Sequence, residues 1–347
     1  TPEIAKKYIN LGLEVSLIEN YGLHLGYDDN QYKDLGVNII KNEKELINNS
    51  DIIVQLALLS DDKTSLIKEN QILIGVFDPY NNKDKIKNLS KKNINIFSLE
   101  LLPRITRAQS MDVLSSQANL AGYRAVIESV EEFGKVVPMM MTAAGTVTPA
   151  KILVIGAGVA GLQAIATAKR LGGIVTATDV RTSAKEQVES LGSKFLSVEG
   201  TENLETIEGY AKEAGDNFKK KQAELLKNSV KQNDIIICTA LIPGKKAPRI
   251  ISEDMVKSMK PGSIIYDLAV SQGGNSAYSE SEKVNIINGV KIMGSKNILN
   301  NLALTASSLY AKNLLNFVNN LCNKEKKDIF INLEDEIIKK TLINEEL

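Results

Sequence analysis

The segment Lys151-Ile-Leu-Val-Ile-Gly-Ala-Gly-Val-Ala-Gly161, with Thr176-Ala-Thr-Asp179 after it, constrains the fold of this chain more than any other stretch. It reads as a buried strand, a glycine turn, a helix of small residues (Leu162–Ala168) and a second strand ending in an acid, the opening βαβ unit of a dinucleotide-binding sheet. Gly156 permits the tight turn, Gly158 lets backbone N–H groups approach a pyrophosphate, and Gly161 lets the helix pack close to the strand. The phosphates would sit at the helix N-terminus, where unpaired N–H groups and the helix dipole favour an anion. Asp179, about 20 residues on, can accept hydrogen bonds from both adenosine ribose hydroxyls and would repel a 2'-phosphate, which points to NAD(H). Arg181 keeps NADP(H) open, because a guanidinium suits a phosphate. Gly156, Gly158, Val159, Gly161, Asp179, Val180 and Arg181 are the candidate cofactor-binding residues. The bland alternative is that the glycines serve only helix packing and Asp179 is a solvated strand end.

Strands alternate with amphipathic helices along the whole chain of 347 residues, which implies parallel sheets and about two domains. One series runs through Glu14–Ile18, Val37–Ile40, Asp51–Gln55, Ile72–Val76 and Ile94–Phe97; the other through Lys151, Ile174–Asp179, Lys194–Val198, Asp234–Ala240, Ser263–Leu268 and Val290–Met293. Ala108–Phe133 and Thr305–Leu321 read as long helices flanking the second series. The expected fold is therefore α/β, with two Rossmann-like doubly wound parallel-sheet domains. The second (119–301, the dinucleotide-binding domain) is inserted in the first (1–118 plus 302–347), with the cofactor in an interdomain cleft. Pro138–Pro149 reads as the entry linker, its methionines expected to pack against the second domain.

Composition excludes several classes. Acidic and basic residues cancel at 42 each, so no net field steers the chain to nucleic acid, and the lysine runs at 219–221 and 324–327 read as solvated helix faces. Cys238 and Cys322 show no metal spacing and no Cys-x-x-Cys pair, so no metal site is expected. Apolar runs are too short for a membrane span and no signal peptide opens the chain.

Two further features carry chemistry. In Arg104-Ile-Thr-Arg-Ala-Gln-Ser-Met-Asp-Val-Leu-Ser115, a helix would place Gln109, Asp112 and Ser115 roughly on one face, with Asp112 paired to Arg104 or Arg107. Such a face could bind an amide; an ordinary capped helix with a surface ion pair is the alternative. Glu199–Lys231 is a long, charged connection with a glycine and a lone aromatic, Gly209 and Tyr210, which reads either as a mobile lid or as a surface insertion.

Over nearly its whole length the sequence resembles the NAD(H)-binding alpha subunit of proton-translocating NAD(P) transhydrogenase, a relative of alanine dehydrogenase. The matching stretches are Leu101–Gln117, Asn119–Arg124, residues 151–170, Asp179-Val-Arg181, Gly209–Lys212, Thr239–Gly244 and Asp267–Val270. The resemblance implies that Arg104, Gln109, Asp112 and Ser115 surround the nicotinamide and its ribose as the catalytic set. It further implies that Tyr210 belongs to a mobile loop, and that Gln222, Ala240 and Leu241 touch the cofactor. It implies a translocase component, a homodimer on the cytoplasmic face of the membrane, held there by NADP(H)-binding and membrane-spanning partner subunits and not itself inserted. Relatives open with a further strand and an arginine-bearing turn that this sequence lacks, so a shortened first sheet is expected, in either a separately encoded subunit or a fragment.

Chemistry separates the two branches. Alanine oxidation moves a proton with the hydride and needs an acid or base, in that family a histidine supported by a lysine. Here the one histidine, His24, lies in a glycine-rich turn, the corresponding regions read Ile53–Ala57 and Ile96–Glu100, and Ser271 stands where a further acid is usual. Hydride transfer between two nicotinamides needs only aligned rings. The competing readings are an amino-acid dehydrogenase and an inert NAD-binding regulatory protein.

Overall fold

Short runs of isoleucine, leucine and valine form the strands of this chain, and the amphipathic segments between them return it for parallel pairing. The computed structural model describes residues 1–197, 215–241, 244–323 and 328–343. The chain divides into two compact units, Thr1–Gln117 with Ala303–Leu347, and Ala118–Leu302. The division falls inside the helix Val113–Glu132.

In the first unit, β1 (Ser16–Ile18) and β2 (Asn38–Ile40) form a two-stranded parallel sheet. A second, three-stranded parallel sheet has the order β3 (Ile52–Val54), β4 (Ile72–Gly75), β5 (Asn95–Ser98). The single series expected from sequence is thus two sheets. Each covers its own core: Ala5, Tyr32 and Val37 pack beside the first, while Ile74, Phe97 and their neighbours pack on the second. Helix Ala303–Leu321 completes the latter core with Tyr310, Leu314 and Phe317, the Phe97 and Phe317 rings lying 5.5 Å apart. Ile337 and Ile338 of helix Glu336–Thr341 enter the same cluster.

The second unit opens with a hairpin, β6 (Met140–Thr142) and β7 (Gly145–Val147), where the sequence suggests only a linker. Met139, Met140 and Met141 are exposed, which corrects the expectation that they pack inward. In an extended hairpin, alternate side chains leave the chain on opposite sides, and here neither side is covered within the unit. Beyond it stand β8 (Lys151–Ile155), β9 (Ile174–Thr178), β10 (Lys194–Phe195), β11 (Ile235–Cys238), β12 (Ile264–Asp267), β13 (Asn285–Ile287) and β14 (Val290–Met293). They form one seven-stranded sheet in the order β10-β9-β8-β11-β12-β14-β13. All neighbours are parallel except β13, which joins β14 through Asn288-Gly289, both left-handed as a tight hairpin turn requires.

Counted along the chain, the six parallel strands have the doubly wound order 3-2-1-4-5-6, which reverses between β8 and β11. Alternate residues of the central strands bury on opposite faces, as a sheet covered on both sides demands. Ile152, Val154, Ile235 and Ile237 face one core with helix Val159–Arg170, while Leu153, Ile155, Ile236 and Cys238 face the other with helix Asp216–Val230. Burial pushes the Cys238 thiol well up, keeping it protonated.

Candidate functional site

The reversal between β8 and β11 opens a crevice at the strands' carboxyl ends, the place where doubly wound sheets hold ligands. Gly156 follows β8 with φ +94°, a conformation that favours glycine. Gly158 caps the helix Val159–Arg170 and has no side chain to occupy the orphan N–H groups of the first turn. At Gly161 an added Cβ would lie 1.9 Å from the Gly156 carbonyl oxygen, so the turn and the helix touch backbone to backbone. On the far side of the same helix a Cβ on Gly122 would lie 2.0 Å from the Ala160 carbonyl oxygen, so helix Val113–Glu132 is seated just as closely.

Asp179 follows β9 directly, beside this turn. Its Oδ2 accepts a hydrogen bond from the Ala157 N–H at 2.6 Å and its Oδ1 from the Arg181 N–H at 2.8 Å. The Arg181 side chain adds two more, Nε to Oδ1 at 2.9 Å and Nη2 to Oδ2 at 2.9 Å. The Arg181 guanidinium also lies 4.0 Å from where a Cβ on Gly158 would be. Val159 is exposed at the helix start, and Val180 is half-buried between Asp179 and Arg181.

Ala240 and Leu241 follow β11 on the other side of the crevice. The residues that hold them are not among the sequence candidates. The Thr239 hydroxyl donates to the Gly156 carbonyl oxygen at 2.9 Å, tying the end of β11 to the glycine turn. Fully buried Asn275 accepts from the Ala240 N–H at 3.0 Å and donates to the Ala240 and Pro248 carbonyls at 2.8 and 2.9 Å. The next residue's N–H donates to buried Asp267 at 2.9 Å, and the Ser279 hydroxyl does so at 2.6 Å. The signal for this in the sequence is Gln272-Gly-Gly-Asn275, whose two glycines are left-handed and aim Asn275 back at β11. Gln222 is half-buried on helix Asp216–Val230, whose Leu226 and Val230 pack on the sheet face opposite the glycine-turn helix. Gly209 and Tyr210, like the lysine run at 324–327, lie outside the described residues.

The constellation after β5 lies in the first unit, and its local structure differs from the expected continuous helix. A 3-10 turn, Thr106–Met111, ends at Asp112, whose extended backbone (φ −71°, ψ 93°) starts helix Val113–Glu132 afresh. The Asp112 carboxylate accepts from the Ser115 N–H at 2.9 Å and from the Ser115 hydroxyl, satisfying the first turn as an N-cap does. Gln109, Asp112 and Ser115 therefore do not share one helix face. Arg104 and Gln109 are exposed, Asp112 and Ser115 half-buried. Helix Ala303–Leu321 pins the turn: the Asn313 and Asn316 amides donate to the Ser110 carbonyl at 2.8 and 3.0 Å, and the Ser116 hydroxyl donates to Asn313 at 2.7 Å.

Arg107 pairs with Asp335, not Asp112, at 2.6 and 2.7 Å, because the chain's return brings the start of helix Glu336–Thr341 alongside. This partner holds the Asp335 carboxyl down to about 2. A depressed carboxyl stabilises fully above its unfolded value of about 4 and loses that stabilisation as pH falls toward 2. Asp335→Asn, which keeps the cap on Ile337, is expected to cost about 1 kcal/mol or less at pH 7, since Arg107 is half exposed, and nothing at pH 2. Denaturant unfolding of both proteins across that range checks it; a gap that stays constant with pH would show that the pair's charge is irrelevant.

The positions where a proton-transferring group is sought are otherwise engaged. His24 is exposed in a 3-10 turn, Leu23–Leu25. Ser98 is buried and donates to Glu100, whose carboxylate also accepts the N–H groups of Phe77 and Asp78 at 2.9 and 2.7 Å. Ser271 is exposed within the turn Val270–Gln272. Among the described residues no group of three His, Cys, Asp or Glu side chains could hold a metal ion, and no helix is long and apolar enough to cross a membrane.

Comparison with known proteins places this arrangement. The model of the alanine dehydrogenase/PNT N-terminal domain matches residues 1–121 and that of the alanine dehydrogenase/PNT C-terminal domain residues 125–346. An NAD(P) transhydrogenase alpha subunit of Rhodospirillum rubrum is 48% identical over 350 residues, covering 99% of this chain and 91% of that protein. The crystal structure of transhydrogenase from Sinorhizobium meliloti superposes with a TM-score of 0.88 at 44% identity, over 99% of this chain and 92% of that one. An L-alanine dehydrogenase shares the fold, with a TM-score of 0.80 at 20% identity over 99% of this chain and 90% of that one. The chain is thus a member of the alanine dehydrogenase/PNT family, on its NAD(P) transhydrogenase alpha-subunit branch.

Proposed function

We propose that this chain is the NAD(H)-binding component of a proton-translocating NAD(P) transhydrogenase, exchanging hydride directly with NADP(H) held by a partner subunit. The observation that supports this most directly is the acid at the switch point: Asp179 follows β9 beside a glycine turn that tolerates no Cβ. The residues present fit a dinucleotide. Gly156, Gly158 and Gly161 bring backbone N–H groups to a pyrophosphate, the start of helix Val159–Arg170 adds its dipole, and Asp179 receives a ribose. Bound NADH supplies the hydride.

The chain's own residues bind and orient. Exposed Arg104 and Gln109 offer donors and an acceptor to a carboxamide and a ribose, and the Asp112–Ser115 pair completes that polar set. Ala240 and Leu241, held by Thr239 and Asn275, form the opposite wall of the crevice at the sheet. The engagement of Ser98 and Glu100 with backbone and with each other agrees with a reaction that moves no proton at the reacting carbon. Proton translocation falls to membrane-spanning partner subunits, which hold a homodimer of this chain on the cytoplasmic face of the membrane.

The test is hydride exchange between NADH and an NADP analogue, with this protein mixed with a transhydrogenase NADP(H)-binding domain and alanine plus NAD as the control. Exchange is expected to need both proteins and to fall about tenfold or more in Gln109→Asn, because shortening a positioning side chain by one methylene misaligns the ring. Reduction of NAD by alanine without a partner would overturn the proposal in favour of an amino-acid dehydrogenase. Tight NADH binding with no exchange would instead indicate a regulatory protein.

A further inference from the structure

Asp179 is fully subscribed. A carboxylate offers about four lone-pair positions, and here each oxygen accepts one backbone N–H and one guanidinium N–H. The two backbone donors, Ala157 and Arg181, belong to the turn itself and stay with the fold. The other two positions are filled by the Arg181 side chain, at 2.9 Å each. A ribose diol also brings two donors, the 2'- and 3'-hydroxyls. We infer that the Arg181 side chain stands in for the adenosine ribose on Asp179 and is displaced when nucleotide binds, which makes Arg181 a specificity-determining residue of this site.

This rests on the proposed NAD(H) reading and adds a mechanism for its selectivity. With Arg181 in place, Asp179 is no bare negative charge; its side chain is 6% exposed and its partner's 16%, so the pair is neutral and largely withdrawn from water. Repulsion by an isolated carboxylate therefore does not account for rejection of a 2'-phosphate. Donor count does. A diol replaces two N–H donors with two O–H donors, so the carboxylate ends as well satisfied as it began. A 2'-phosphorylated ribose has one hydroxyl left and sets phosphate oxygens against carboxylate oxygens, leaving a buried acceptor without its donor, which is costly. The exchange also frees a cation beside Gly158, at the start of helix Val159–Arg170, the end of the turn where the pyrophosphate is proposed to lie.

The inference is tested on the full chain with the Arg181 Nε–H resonance, identified by its loss in Arg181→Lys. Saturation with adenosine, which carries the diol and no phosphate, and then with NADH, is expected to shift this resonance and to speed its exchange with water about tenfold or more. A resonance that stays put while the amides of Ala157 and Gly158 report saturation overturns the displacement and leaves the NAD(H) reading standing. In a second variant, Arg181→Gln, adenosine is expected to bind about threefold tighter or better, because a competing charge-assisted bond has been removed. Unchanged or weaker adenosine binding contradicts the inference. If wild-type protein binds neither adenosine nor NADH, the NAD(H) reading fails and carries this inference with it.

Discussion

Gly161→Ala is expected to be the most damaging single methyl group that can be added to this protein. The new Cβ would sit 1.9 Å from the Gly156 carbonyl oxygen and 3.1 Å from the Thr239 hydroxyl, both backbone-anchored or held by a hydrogen bond to the same turn. No flexible side chain can yield, so either helix Val159–Arg170 lifts from β8 or the turn opens. Overpacking of this kind costs about 3 kcal/mol or more. Because the turn is also where pyrophosphate is proposed to bind, NADH affinity should fall with stability. Gly122→Ala separates the two effects: its Cβ would meet the Ala160 carbonyl at 2.0 Å on the helix's other side, so a comparable loss of stability is expected with the turn's own geometry kept. Denaturant unfolding and NADH titration of both variants decide it. A Gly161→Ala protein within about 0.5 kcal/mol of wild type would mean that the close seat is not obligatory.

Asp179→Ala should have the second largest effect, on affinity. Two charge-assisted hydrogen bonds to ribose hydroxyls are lost, each worth about 1.5–3 kcal/mol before the competing Arg181 pair is set against them. A net of about 3 kcal/mol corresponds to roughly 100-fold weaker NADH binding. The same change deprives Arg181 of this partner and removes the acceptor that disfavours a 2'-phosphate, so the preference for NADH over NADPH should shrink or reverse. Titration of wild type and variant with both nucleotides measures the ratio. Equal loss for the two nucleotides, with the ratio unchanged, would show that Asp179 shapes the turn through its bond to Ala157 and does not read the ribose.

Much of this is legible in the chain itself. The glycine spacing and the acid at the end of the following strand are local signals, because a turn with positive φ at Gly156, a helix start at Gly158 and an acid directly after β9 are each set within a few residues. Asp112 reads as a helix-face acid and is a cap; Asp is as good at stopping a 3-10 turn and starting an α-helix as at sitting within one, and the sequence pattern is the same in both. The Met139–Met141 run reads as packing material because methionine usually is, whereas the hairpin it belongs to leaves it uncovered in its unit. The Asn288-Gly289 turn is a hairpin signal that periodicity alone passes over, which is why β13 is absent from the expected strands.

By itself, then, the sequence determined the repeating strand–helix order, the dinucleotide turn and its acid, and the family, since periodicity, glycine placement and local spacing are properties of neighbouring residues. Tertiary structure alone decided which distant groups would meet. Asn275 reaches Ala240, Thr239 reaches Gly156, and Asp335 takes Arg107 from the acid next to it in sequence, because strand order and the return of the C-terminal helices bring together segments separated by tens or hundreds of residues. It also decided the state of Asp179. Its carboxylate could be predicted to face a ribose, but only the folded turn, with both Ala157 and Arg181 donating to it, shows a site already filled by the protein's own cation.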